Sequence, residues 1–270
     1  MPRSETDSTA PLRIALGEYD IGWHDPQNSL ARAVALVEQA AAAGADLLVL
    51  PEMCATGFTM EPERHAEPLD GPSAARLTAL AREHKIHLLA GLATREPDGS
   101  ACYNSAVLLG PDGERLGEYR KQRLYAHAGE ERHYRPGSGP AVFEVGGVLI
   151  SPFICYDLRF PELFREVGPE VDVLVVIANW PVARRAHWDV LVRARAIENQ
   201  CYVVAVNRTG SGGGLEYDGG SAAHDPMGRR LDGAGEGAHA PTVVEIDPEE
   251  VGRVRTELPF TEDRRRRDRK

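Results

Sequence analysis

A thiol, a carboxylate and an amine each stand at the end of a strand-like segment. "VLISPFIC" ends at Cys155, "LLVLPE" at Glu52 and "ERLGEYRK" at Lys121. In α/β folds, side chains just beyond the carboxyl end of a buried strand face a crevice and are held by rigid backbone, so reactive groups gather there. Taken singly, each has an ordinary explanation. A glutamate after a strand is usually solvated, a lysine after a hairpin is usually on the surface, and a cysteine often packs as a small core residue. Together they supply the parts of covalent amide hydrolysis: a nucleophile, a group to take and return protons, and a fixed cation for the oxyanion. Imidazole is the alternative activator. Pairing Cys155 with His127 or His133 would be papain-like, but "FICYDL" lacks the papain signature around its cysteine.

The elements that must position these residues alternate between strands and helices, with no linker-like break. "LRIALGEY" reads as a first strand. Asn28 or Ser29 can cap a helix whose apolar face is Leu30, Val34, Val37 and Ala41, with Gly44 where a C-cap belongs. "ADLLVLPE" is near-continuously apolar, as a strand buried on both faces requires. A helix around "AARLTALAREH" and the strand "IHLLAGLAT" follow, and then "YNSAVLLG" and "ERLGEYRK", joined as a hairpin by "PDG". The pattern recurs: "AVFEV" and "VLISPFIC" as a hairpin, "VDVLVVIAN" as a buried strand, "AHWDVLVRARAIENQ" as a helix and "CYVVAVNR" as a strand. A final pair, "GGSAAHD" and "PTVVEID", is separated by the turn "DPMG". Two helix-plus-buried-strand units with hairpins predict two layers of sheet flanked by helices in one domain.

The rest of the chain limits what this site could serve. Among 270 residues, 42% are hydrophobic, yet no apolar run approaches the length of a membrane span. The opening "MPRSETDSTAPLR" has no apolar signal region, which predicts a cytoplasmic protein. Cys54, Cys102, Cys155 and Cys201 are widely spaced and read as thiols. Among the histidines, His84 and His87 come nearest to a metal pair, and no metal is expected. A formal charge of -10 argues against nucleic acid as a partner. The exception is the tail "RRRRDRK", whose like charges predict a solvated end. "TGSGGGLEYDGG" lacks the G-K-[ST] ending of a phosphate loop and reads as a mobile surface loop. The expected division is a polar lead-in over residues 1–11, a single domain over 12–260, and a charged tail over 261–270.

At these residues the sequence resembles the nitrilase superfamily of carbon-nitrogen hydrolases, whose reactive set is Glu, Lys and Cys. "LLVLPEMCATGF" matches around Glu52, "YRKQRLY" around Lys121 and "SPFICYDLRFPELF" around Cys155. In "GEERHYRPG", Glu130 occupies the place of the second glutamate, which this family uses to orient substrate and lysine. The likeness continues through "VVIANWP", "AHWDVLVRARAIENQCYVVAVNRTG" and "HDPMG", and covers Leu12 to Phe260. It implies a four-layer α-β-β-α sandwich, two mixed sheets flanked by helices, with neither cofactor nor metal. Homodimers or higher assemblies through helices near the nucleophile are also implied. "PEM…TGF", "CYDLRFPE", "ANWP" and "HW…RARAIENQ" look most like the omega-amidase branch, which hydrolyses the terminal amide of short 2-oxo dicarboxylic monoamides. Neighbouring branches, which cleave N-carbamoyl compounds, aliphatic amides or deaminated glutathione, share much of this frame. A non-catalytic scaffold keeping the fold would show a broken reactive set, and here all four residues are present.

The resemblance implies roles. Glu52 takes the thiol proton, Cys155 attacks the amide carbon, and Lys121 with the backbone N–H of Tyr156 receives the oxyanion; water then releases the acid from a thioester. Phe58, Asn179, Trp180 and Pro181 are the implied pocket residues. Arg159, Asp157 and Glu162 read as a local ion-pair network, and His187 with Trp188 as the interior start of a helix. Arg159, Arg184 and Arg185 are the possibilities for binding a substrate carboxylate.

Overall fold

Helix α1 shows how local chemistry sets an element. Its N-cap is Asp25, whose side chain accepts from the Asn28 N–H, with Pro26 at the first helical position. The helix therefore starts before Asn28 and Ser29, the expected caps, because Pro26 supplies a preset φ and lacks the N–H that would go unpaired. Its buried stripe is Ser29, Ala33, Leu36, Val37 and Ala40. That stripe is rotated from the expected one toward small residues, which let the helix lie close to the sheet. Gly44 at the far end has φ 71°, as a left-handed stop demands.

This computed structural model describes residues 10–231 and 241–267. Most of the polar lead-in and the last three residues of the tail lie outside the described residues. In chain order the elements begin β1 (Leu12–Leu16), α1 (Pro26–Ala42), β2 (Leu47–Val49), α2 (Pro62–His65), α3 (Pro72–His84), β3 (His87–Arg95), β4 (Cys102–Leu109) and β5 (Arg115–Arg120). They continue with β6 (Phe143–Val145), β7 (Val148–Ile154), α4 (Pro161–Val167), β8 (Val173–Ile177), α5 (Arg185–Asn199), β9 (Tyr202–Val206), β10 (Thr209–Gly212) and β11 (Leu215–Asp218). The last are β12 (Ala222–His224), β13 (Thr242–Ile246), α6 (Pro248–Glu257) and α7 (Phe260–Arg267).

One sheet has the order β13-β1-β2-β3-β4-β5 and the other β12-β9-β8-β7-β6. Both are mixed: β1, β2 and β3 run parallel, as do β7, β8 and β9, while the outer strands are antiparallel. Alternation along β1 sorts the layers. Ile14 and Leu16 point into a core shared with Ile150, Phe153 and Val175 of the second sheet. Ala15 points the other way, into a core with α1 and α3 residues such as Val37 and Leu77. The outer face of the second sheet packs on α4 and α5 through Phe164, Val192 and Ala196. The architecture is the α-β-β-α sandwich.

Two expectations change. The final two strands do not pair: β12 joins β9 in the second sheet and β13 closes the first sheet against β1. The "DPMG" turn is present, but His224 bridges to Arg230 instead. The glycine-rich "TGSGGGLEYDGG" is a two-stranded ribbon, β10 against β11, turning at Gly213 and Gly214 with φ 57° and 77°. Its glycines permit the tight turn rather than a loop without structure. The start of the charged tail continues as α7, and Thr261 is buried with its N–H 3.3 Å from Gln200 Oε1.

Candidate active site

Three backbone devices bring the site together. After β2, the chain turns through Pro51 and Glu52, and Met53 adopts φ 44°. A Cβ on Gly91 of β3 would lie 2.5 Å from both the Glu52 Cα and the Pro51 carbonyl oxygen, so only glycine lets β3 pass beneath this turn. At the end of β7, Cys155 has φ 46°, a left-handed conformation that costs a non-glycine residue energy and recurs at functional sites. Buried Asp157 holds that elbow: it accepts from the Ile154 N–H at 3.0 Å, the Arg123 N–H at 2.8 Å and the Tyr119 hydroxyl at 2.8 Å. Lys121 directly follows β5, its N–H bonded to the Asn104 carbonyl at 2.9 Å.

Glu52, Lys121 and Glu130 are fully buried and share one network. The Lys121 Nζ lies 3.1 Å from Glu52 Oε1 and 3.0 and 2.9 Å from the two Glu130 oxygens. The Asn104 amide donates to Glu52 at 2.7 Å and to Glu130 at 2.9 Å. Glu130 also accepts the Tyr125 N–H at 2.6 Å, and Glu52 Oε2 accepts the Asn179 N–H at 2.8 Å. Burial works against the Lys121 charge, but Glu130 and then Glu52 overcome it and hold the ammonium well above its usual range. The half-buried Cys155 thiol is pushed up, first by desolvation and then by the Glu52 carboxylate, with Lys121 pulling the other way. Cysteine therefore rests as a thiol beside a carboxylate able to take its proton, with a fixed cation alongside.

Above this floor opens a cavity of about 280 Å³, to which Cys155, Tyr156, Phe58, Asn179, Trp180 and Pro181 all contribute. The sequence-predicted site residues thus converge, with Glu52, Lys121 and Glu130 buried behind the lining and the others on the walls. The Lys121 Nζ lies 5.1 Å from the Phe58 ring centroid. Trp180 is fixed by its backbone N–H on Asn207 at 2.7 Å and its indole N–H on the Arg184 carbonyl at 2.9 Å.

Most of the remaining candidates fall outside the site. His127 and His133 are exposed and neither lines the cavity. His187 is exposed too, accepting at Nδ1 from Arg159 Nη2 at 3.0 Å, while Trp188 beside it is buried. Arg159, Asp157 and Glu162 form no common network: Asp157 serves the elbow, and Glu162 faces Arg123 at 3.6 Å. Cys54 is buried in the core beneath α1 and α3, not in the site, and burial raises its thiol to about 12. Sequence reasoning missed Asn104, whose signal was a polar amide early in an apolar strand, where asparagine is disfavoured. It also missed Trp23, His24, Tyr125, Leu215 and Tyr217 of the cavity wall, which only chain folding brings near.

A buried Glu-Lys-Glu network thus lies under a cysteine of left-handed backbone in an α-β-β-α sandwich. The family profile for carbon-nitrogen hydrolases matches residues 13–256, and the chain belongs to that family. It is 37% identical to the 2-oxoglutaramate amidase of Bacillus subtilis (strain 168) over 94% of this chain and 97% of that protein. Identity is 35% to the omega-amidase YafV of Yersinia enterocolitica, covering 93% and 96% of the two chains. The crystal structure of Saccharomyces cerevisiae Nit3, a member of branch 10 of the nitrilase superfamily, superposes with a TM-score of 0.85 at 25% identity, covering 97% of this chain and all of that one. The protein is therefore a hydrolase acting on carbon-nitrogen bonds of amides. No helix of the described residues is long and apolar enough to cross a membrane.

Proposed function

We propose that the protein is an omega-amidase, releasing ammonia from the terminal amide of a short 2-oxo dicarboxylic monoamide such as 2-oxoglutaramate or 2-oxosuccinamate. The observation that carries this reading is the Lys121 ammonium clamped between Glu52 and Glu130 beside Cys155. The Bacillus and Yersinia relatives support the substrate class.

Glu52 is the base. As the Cys155 sulfur bonds to the amide carbon, its proton passes to Glu52, and the oxygen's developing charge meets Lys121 and the Tyr156 N–H. A donor aimed at such charge contributes roughly 3 to 4 kcal/mol to the transition state. Collapse of the tetrahedral adduct breaks the C–N bond, and the Glu52 proton leaves with the ammonia. Water then gives a proton to Glu52 and its oxygen to the thioester carbon; the acid departs and the proton returns to Cys155. Glu130 and Asn104 act as positioning groups, fixing Lys121 and Glu52 so that neither needs to reorganise during the reaction. Phe58, Asn179, Trp180 and Pro181 form the wall against which the acyl chain lies. Four free cysteines suit a reducing compartment, which supports a cytoplasmic location.

Exposed apolar side chains on α5, Val190 and Ile197, with Met227 and Leu231 nearby, support docking of a second copy along that helix. The test of the activity is ammonia release from 2-oxoglutaramate together with an acyl adduct on Cys155 by intact mass. Both should vanish in Cys155→Ala; retained turnover in that variant would sink the mechanism.

A further inference from the structure

Just beyond β9, Arg208 is fully buried, an uncommon place for a guanidinium. Its Nη2 group reaches the Ile21 carbonyl at 2.7 Å, the Ser211 carbonyl at 3.0 Å and Asp20 Oδ1 at 3.2 Å, and its Nε donates to the Thr209 carbonyl at 3.0 Å. Asp20 and Ile21 lie between β1 and α1, whereas Thr209 and Ser211 lie in β10. One side chain thus joins a loop of the first sheet to the glycine-rich ribbon, across 187 residues of sequence. Gly210, at φ 81°, makes the close approach possible, because a Cβ there would collide with Asp20 Oδ1.

The joined parts form one wall of the Cys155 cavity. Gly212, Gly213, Leu215 and Tyr217 of the ribbon line it, and so does Trp23 from the loop. The Arg208 guanidinium lies 4.6 Å from the Tyr217 ring centroid. Cβ atoms on Gly57 and Gly212 would stand 3.3 and 3.1 Å from Arg208 Nη1, and 3.0 and 2.8 Å from the Trp23 ring. Nη1 therefore sits at the seam between Trp23, the Gly57 turn and the ribbon, and among the described residues it has no hydrogen-bond partner. A buried, incompletely satisfied guanidinium costs free energy that a tie serving stability alone would avoid. The base of the ribbon is already held without it. The Thr209 N–H donates to the Tyr19 carbonyl at 3.0 Å, and Asp218 pairs with Arg185 at 3.1 Å. What Arg208 adds is the position of the ribbon beyond its base, against Trp23.

We propose that Arg208 is a positioning residue: it holds the ribbon and Trp23 together as one wall, so that selectivity for the length of the acyl chain depends on a side chain that does not touch substrate. The inference rests on Cys155 as nucleophile, and turnover retained in Cys155→Ala would remove that premise by itself. Binding along the wall can be read without assuming a substrate. Acetaldehyde and hexanal add reversibly to a reactive thiol, the sulfur bonding to carbon while its proton passes to the oxygen, and so protect Cys155 from iodoacetamide. The half-protecting concentration of hexanal is expected to rise about tenfold in Arg208→Met, and that of acetaldehyde, too short to follow the wall, by less than about threefold. Gly210→Ala, which keeps the guanidinium and pushes the ribbon off Asp20, should do the same. Arg208→Lys keeps the charge but not the fork and should fall between. With 2-oxoglutaramate as substrate, the loss should fall on KM, with kcat within about threefold, since the wall is touched equally in the ground and transition states. A merely structural role would lower the active fraction, and so the apparent kcat, and leave KM and both protection constants unchanged. That result, an equal rise for the two aldehydes, or an unchanged hexanal constant in Gly210→Ala would overturn the proposal. Failure of the unaltered protein to turn over 2-oxoglutaramate, with the aldehydes behaving as expected, would instead remove the omega-amidase reading and keep the role of Arg208.

Discussion

Replacing Lys121 by methionine keeps the stem and removes the charge. In the native structure the ammonium makes three contacts of 2.9 to 3.1 Å to Glu52 and Glu130, and all three side chains are fully buried. Without it, two carboxylates bridged by a single Asn104 amide face each other away from water. Breaking one partner out of a buried ionic set costs about 3 to 5 kcal/mol of stability. The loss of the oxyanion donor alone lowers kcat by about 10²- to 10³-fold. Urea unfolding and steady-state rates of Lys121→Met against the unaltered protein would check both. A variant that retains kcat within tenfold, or that loses less than about 1 kcal/mol of stability, would refute the reasoning, since either result means the charge is not needed where the structure puts it.

The elbow offers a pH test. Burial raises the Asp157 carboxyl to about 6 from 3.8, even though the Ile154 N–H, Lys121, the Arg123 N–H and the Tyr119 hydroxyl pull it down. Because the folded form holds the proton more tightly, its stabilising contribution is complete below the unfolded pKa. It is lost as pH rises through the folded one, about 3 kcal/mol in all. The stability advantage of the unaltered protein over Asp157→Asn should therefore be largest near the acid end and shrink by neutrality; an advantage independent of pH would contradict the burial argument. On α5, Val190 is 67% exposed and Ile197 47%, so light scattering should give a dimer mass that falls to the monomer in Val190→Glu. A monomeric unaltered protein would remove that interface.

Much of this was written in local pattern. Apolar runs ending at Glu52 and Cys155 could be read directly, because a buried strand needs a continuous apolar segment and its last residue must face the crevice; Lys121 was legible as the end of a hairpin strand. The β4–β5 and β6–β7 hairpins were equally legible, since "PDG" and "GG" encode their turns. Strand partnership at the chain's end was not: β12 and β13 each satisfy a sheet edge far away in sequence, and nothing in their own composition says which.

The sequence by itself determined which groups are available and which ends of which strands present them. Tertiary structure decided their states. It put Lys121 between two carboxylates from different loops, placed Asn104 to bridge them, and sent Arg185 to Asp218 while leaving Arg184 at the cavity. It also turned a glycine-rich run into a ribbon that walls the pocket through Gly212, Leu215 and Tyr217. The physical reason is that charge and proton affinity depend on what surrounds a group in space. Burial and neighbouring charge come from residues dozens of positions away, as with Glu52 and Asn179, 127 residues apart in sequence and hydrogen-bonded at 2.8 Å.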